Sequence, residues 1–378
     1  IIETATGSVE KAAEVDPVTL DLIENGLRNA RYEMDEVLFR TALSPGIREQ
    51  HDEFPLIADP SGKMVVGQFG LSVPDFLDGF DDTIEEGDVL LTSDPYACGA
   101  AISHANDWLV VMPIYHEGRI VGGASMFGHM SDVGGKTPCS MPTDARTIYE
   151  EGVVIPPFKL YRRGELNEDA LRIILNQVRM PDWNRADLNG LVAACRTAGR
   201  RVVEMCERFG TGTYLAALDA LLQRNYDAMK VLLTTVFEEG KTLSFTDYVD
   251  DDGLGNGPFE LKMSLTRTGE KVHIDFTGSS PQAAGPVNYY INENLTRMFF
   301  GIYMITVADP QILWNDGFYP LVEVTIPEGS YWKPKHPASL NGRNHGIGRV
   351  FDLFGGLLGQ TNPALLNAAG FSSSPHFM

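Results

Sequence analysis

Two apolar runs, Trp108–His116 and Arg119–Phe127, are separated only by Glu117-Gly118, and this constrains the fold more than any other feature of the chain. Two residues suffice only for an antiparallel hairpin turn, so the runs must lie side by side. Under a two-residue turn, Asp107 lies opposite Gly128 and His129 opposite Asn106. A one-residue bulge would shift that register without separating the ends. His104-Ala-Asn-Asp107 opens the ribbon and His129-Met-Ser-Asp132 closes it. His104, Asp107 and His129 are therefore expected to meet at its open end. Two imidazoles and a carboxylate form a mixed N/O ligand set suited to Mn, Zn or Fe.

Around the hairpin the pattern predicts an α+β chain. Asp16 caps a helix with Pro17 in its first turn, and Leu20, Ile23, Leu27, Ala30, Met34, Val37 and Leu38 make one apolar stripe. Ser44-Pro45-Gly46 stops it, so residues 1–50 read as an N-terminal helix and lead-in. Residues 51–165 carry short apolar runs split by Gly and Pro, a β-rich region containing the candidate metal site. Residues 166–240 return to helical spacing. Asn167 caps Glu168–Arg179, Asn184 or Asp187 opens a helix ending at Gly210, and a third runs from Tyr214 to Phe237. Residues 241–378 read as a second α+β region continuing beyond the given sequence. It holds a hairpin at Thr268-Gly269-Glu270, a final helix over 292–307 and a strand in LVEVTIPEG. The acidic Asp250–Asp252, beside GLGNG, is the best linker candidate.

The 378 residues carry a net charge of −21, which argues against nucleic acid and against anionic membrane surfaces. Four scattered cysteines without a CxxC pair suit reduced thiols and a cytoplasmic setting. Gly135-Lys136-Thr137 lacks both the earlier glycine and the following helix of a phosphate-binding loop, and position 258 breaks the dinucleotide fingerprint of GLGNG. The chain is therefore expected to carry no nucleotide site of a common type.

Further polar groups cluster near the hairpin's open end. Asp94 ends the preceding strand, Asp132 closes the second HxxD, and Gly134-Gly135 would let backbone approach a ligand. Arg48–Asp52 is dense in function-capable side chains. Glu150 and Glu151 are an adjacent carboxylate pair whose repulsion raises one pKa toward that of a general base. In an extended segment neighbours face opposite ways, so Glu150 is expected to point inward and Glu151 outward. Glu150, Asp132 and Asp94 are the candidate catalytic residues, with His51 as a further candidate base.

The segments DPVTLDLIENGL, RTALSPGIREQHDEFPLIADPSGKMV, SDPYACGAAISHANDW, GHMSDVGGKTPCSMPTDARTIYEEGVVIPPFKLYRRGELNED, IDFTGSSPQAAGPVN and NDGFYPLVEVTIPEGS resemble, in order, the hydantoinase B/5-oxoprolinase family. Within it the chain looks most like large subunits of ATP-dependent ketone carboxylases, of acetophenone above acetone type. The resemblance implies a hetero-oligomer with a hydantoinase A-like subunit that handles ATP/Mg, and a small third subunit. It implies a ketone substrate whose enolate is carboxylated with bicarbonate as co-substrate. It also implies a metal triad at His104, Asp107 and His129. Two other readings follow from the same family: an ATP-dependent hydantoinase or 5-oxoprolinase opening a cyclic amide, and a non-catalytic scaffold subunit. The sequence departs from the family at HAND, where HLPD is usual, at Cys98, and in lacking the Gly-rich tail.

Overall fold

The computed structural model describes residues 15–68, 72–366 and 368. The first helix, α1 (Pro17–Thr41), starts as expected, with Asp16 Oδ1 accepting from the Thr19 N–H at 3.0 Å. A single turn, α2 (Pro45–Arg48), follows. The β-rich region supplies β1 (Glu53–Ala58), β2 (Met64–Gly67), β3 (Val89–Thr92), β4 (Asp107–His116), β5 (Arg119–His129), β6 (Phe158–Arg162) and β7 (Glu165–Leu166), with a short helix α3 (Val73–Asp78). The predicted β2 run ends in Phe69-Gly70, which lies outside the described residues. The strands form one antiparallel sheet in the order β2-β1-β5-β4-β3-β6-β7.

Alternation along the ribbon decides what covers each face. Trp108, Val110, Ala124 and Met126 join a core with α1 and a long helix α5 (Pro181–Phe209). Leu109, Val111 and Phe127 pack on the opposite face with Phe76 of α3 and with Cys98, Ala101 and Ile102. The segment Cys98–Asp107 is therefore pressed against the sheet, which places His104 next to β4.

Helix α4 (Glu168–Leu175) is capped by Asn167, as expected, but α5 opens at Pro181 rather than at Asn184 or Asp187. Both residues are buried inside the helix and hold neighbouring segments. Asp187 Oδ1 accepts the Leu43 N–H at 2.6 Å, and Asn184 Nδ2 donates to the Asp132 carbonyl at 3.0 Å. Cap-forming side chains here serve tertiary contacts, which a local pattern cannot distinguish.

Helix α6 (Thr211–Val236) joins the two halves, with Ala217, Leu218 and Leu221 in the first core and Met229 and Leu233 in a second. The second core lies under a four-stranded sheet of order β11-β10-β9-β8, built from β8 (Thr242–Val249), β9 (Phe259–Thr268), β10 (Lys271–Asp275) and β11 (Val322–Thr325). Helix α7 (Glu293–Ala308), capped by Asn292, matches the expected span. It is not the last helix: α8 (Asn344–Gly359) follows, hidden from sequence reading by five glycines and its neighbouring Asn and His. Asp250–Asp252 is no linker. Asp252 is buried in the β8–β9 connection, where its carboxylate accepts the Leu254, Asn256 and Gly285 N–H groups.

Candidate metal centre

A β-bulge sets the site. Next to the turn, His116 pairs with Arg119 and Tyr115 with Ile120, as a two-residue hairpin requires. Between Ile114 and Tyr115 the register shifts, leaving Val121 as the extra residue, and from there Asp107 stands directly opposite His129. The two side chains therefore emerge on one face as cross-strand neighbours. The His104–Asp107 segment closes as a turn, the Asp107 N–H donating to the His104 carbonyl at 3.2 Å. Asn106 bridges the two HxxD segments by donating Nδ2 to the Met130 carbonyl at 3.2 Å and to that of Cys139 at 3.4 Å.

His104, Asp107 and His129 consequently offer ligand atoms that all lie within 4.8 Å of one another. His104 is fully buried, with Nε2 2.9 Å from Asp107 Oδ1 and Nδ1 without a hydrogen-bond partner. Nδ1 of His129 stands 3.4 Å from Asp107 Oδ1 and 3.5 Å from Asp52 Oδ2, yet makes no well-directed hydrogen bond. Buried polar atoms are rarely left unpaired. Two imidazole nitrogens without hydrogen-bond partners beside a buried carboxylate suit a divalent cation.

Electrostatics keep His104 and Asp107 ready to ligate. Burial and the Arg343 guanidinium push His104 down to about 3, so its imidazole is neutral at ordinary pH. Burial alone would raise Asp107, but the two imidazoles and Arg343, 3.5 Å from Oδ2, hold its carboxyl well below the usual range. Burial opposes charge on His129, and attraction to Asp107 and Asp52 outweighs it, raising its pKa. Arg343 is itself fixed, donating Nε to Ser103 Oγ at 2.6 Å and Nη1 to Asn344 Oδ1 at 2.8 Å.

His129 and Asp52 form part of the wall of a cleft of about 650 Å³, which α2, the 139–143 loop, the Asp251–Gly253 loop and residues 341–345 complete. The sequence profile of the hydantoinase B/oxoprolinase family matches residues 16–378. The chain belongs to this family. It is 29% identical over 336 residues to the caprolactamase subunit beta of Pseudomonas jessenii, covering 86% of this chain and 56% of that protein. With 5-oxoprolinase 1 of Arabidopsis thaliana it shares 28% identity, covering 91% of this chain and 29% of that one. The crystal structure of the ATP-dependent caprolactamase from Pseudomonas jessenii superposes with a TM-score of 0.80 at 26% identity, over 92% of this chain and 61% of that one. Nucleotide-free acetone carboxylase superposes with a TM-score of 0.86 at 17% identity, over 95% and 50%. That last likeness concerns the fold. The chain spans about half the length of the caprolactamase subunit it matches.

Other expectations for this member of the hydantoinase B/oxoprolinase family turn out differently. Glu150 and Glu151 face opposite ways, but in the reverse sense to that expected, because Ile148–Glu150 is a 3₁₀ turn rather than an extended segment. Glu150 closes a capping box with Thr147 and pairs with Lys136 at 2.7 Å, which lowers its carboxyl to about 2. Glu151 is buried. Its Oε1 accepts from the Ser339 hydroxyl, the Leu340 N–H at 2.6 Å and the Asn341 N–H at 2.9 Å, and burial raises it to about 7. Asp132 is occupied in shaping the 132–140 loop, accepting from the Gly134 and Cys139 N–H groups and from Arg179 Nη1 at 3.0 Å. Asp94 closes a turn by accepting from the Tyr96 and Ala97 N–H groups. None of Glu150, Asp132 and Asp94 lines the cleft. His51 is exposed and packs edge-on against Phe39. The Gly134-Gly135 pair lets the chain approach itself: a Cβ on Gly135 would stand 2.7 Å from the Glu150 carbonyl oxygen.

Sequence reasoning missed Arg343 and Asn341. A signal existed in SLNGRNHG (residues 339–346), where amides, Arg and His crowd between glycines with no apolar period. The partners of that segment come from residues about 190 to 240 positions away, so nothing local announces them.

Proposed function

We propose that this chain is the carbonyl-activating subunit of an ATP-dependent enzyme, holding a divalent ion through His104, Asp107 and His129. The observation that carries the reading is the buried trio beside the cleft, with His104 Nδ1 and His129 Nδ1 unsatisfied. When bound, the ion would supply Lewis acidity to a carbonyl oxygen in the cleft. The two imidazoles and Arg343 together keep Asp107 ionised for ligation, and Asp52 Oδ2 stands 3.5 Å from His129 Nδ1. The loop at 339–345, tied down by Glu151, walls the cleft opposite α2. ATP would be handled by a hydantoinase A-like partner.

A cyclic amide is the preferred substrate class. Relatives that align at 25–29% identity over most of this chain include a caprolactamase subunit, a 5-oxoprolinase and a putative hydantoinase subunit. Ketone carboxylation with bicarbonate, the expectation from sequence, remains the second reading and is supported by the fold shared with acetone carboxylase. Steady-state ATP hydrolysis by the purified complex, stimulated by a lactam without bicarbonate, is the expected result. Stimulation only by a ketone together with bicarbonate would replace the first reading by the second. Absence of stoichiometric metal from the active complex would remove both.

A further inference from the structure

Among the described residues, the buried asparagine side chains are hydrogen-bonded, with one exception. Asn106, Asn184, Asn225, Asn288, Asn292 and Asn315 each make at least one side-chain hydrogen bond. Asn341 is 2% exposed and lines the cleft beside His129, yet its Oδ1 has no partner and its Nδ2 donates to nothing among the described residues. Its backbone is firmly placed. The Asn341 N–H donates to Glu151 at 2.9 Å, and the next N–H, of Gly342, donates to the Pro286 carbonyl at 2.8 Å. Two residues further on, Arg343 reaches Asp107. A clamped backbone thus carries an unclaimed carboxamide at the edge of the candidate metal centre. Leaving such a group unpaired is costly.

We propose that Asn341 selects a small-ring cis-amide over a ketone in this cleft. In a five-, six- or seven-membered lactam the ring forces the C=O and N–H onto the same edge. A primary carboxamide meets that edge with two parallel hydrogen bonds, Nδ2–H to the substrate oxygen and substrate N–H to Oδ1. A ketone of the same shape offers only the first, and leaves Oδ1 buried and unpaired. The ketone is therefore disfavoured by about the value of one net hydrogen bond.

This rests on the reading of the cleft as the site of a cyclic carbonyl compound, and the test separates the two. The full chain, purified with its partner subunits and loaded with Zn²⁺, is titrated with 2-piperidone and with cyclohexanone, which differ by NH in place of CH₂. Dissociation constants are read by ligand-observed NMR. The wild type should favour the lactam by about fivefold, the value of one net hydrogen bond. Asn341→Ala should bring the ratio to about one, whereas Asn341→Asp, which keeps an acceptor, should retain the lactam preference. Asn341→Leu, of similar volume, replaces the alanine variant if that variant does not fold. A lactam preference that survives Asn341→Ala or Asn341→Leu overturns the role of Asn341 while leaving the cyclic-amide reading standing. Wild-type protein that binds the ketone as tightly as the lactam overturns the role of Asn341 and the preference for a cyclic amide, and binding of neither overturns the reading of the cleft as well.

Discussion

Glu151 offers the sharpest test of how the 339–341 segment is held against the candidate metal centre. One carboxylate oxygen accepts two backbone N–H groups and a hydroxyl in a buried setting. Glu151→Ala would leave all three donors without an acceptor. At about 1–3 kcal/mol for each buried unsatisfied donor, and with water filling part of the space, the loss should be about 3–6 kcal/mol. Glu151→Gln keeps an amide oxygen in the same place and should cost no more than about 1 kcal/mol near pH 5. The two states of wild-type Glu151 differ in pH response. Its pKa is raised to about 7 in the folded chain from an ordinary 4.5. The folded protein therefore binds the proton more tightly than the unfolded one. That stabilisation is complete below pH 4.5 and is lost as pH rises through about 7. At about 1.4 kcal/mol per unit, the contribution lost is about 3 kcal/mol. The Gln variant has no such dependence, so its stability relative to wild type should rise by about 3 kcal/mol between pH 4.5 and 8. Urea unfolding followed by the fluorescence of the buried Trp108 and Trp332 measures this difference, and other titrating groups cancel in it. A Gln-minus-wild-type difference that stays flat over that range would refute the reasoning.

Replacing His104 or His129 with Ala should abolish tight binding of Zn²⁺ or Mn²⁺, measured by metal content after dialysis, while far-UV circular dichroism is unchanged. Gly135→Ala places a Cβ 2.7 Å from the Glu150 carbonyl oxygen at a φ of +80°, and should lower stability by at least about 1–3 kcal/mol, read as a urea midpoint. Asp187→Ala removes the acceptor of the Leu43 and Ser44 N–H groups and should cost about 2–3 kcal/mol, with α2 loosened and faster amide exchange at those two residues. Glu150→Gln breaks an exposed pair with Lys136 and should change stability by less than about 1 kcal/mol, with activity of the complex close to wild type.

The α+β class, the spans of α1 and α7, the caps at Asp16 and Asn167 and the convergence of His104, Asp107 and His129 were all legible in the chain. Each depends on short-range rules: a 3.6-residue stripe, an oxygen reaching an N–H three residues on, a two-residue turn between apolar runs. Those rules involve only neighbours in sequence, so the sequence by itself determined them. Tertiary structure decided the rest. The bulge at Val121 brings Asp107 opposite His129, and no residue type there requires it. Which of two adjacent glutamates turned inward depended on a 3₁₀ turn and on donors at Ser339, Leu340 and Asn341. Arg343, which adds to the charge around Asp107, arrives from a helix start 236 positions away in sequence. Burial and long-range pairing set the charge of a carboxylate or imidazole, and both are properties of the packed chain that no local window contains.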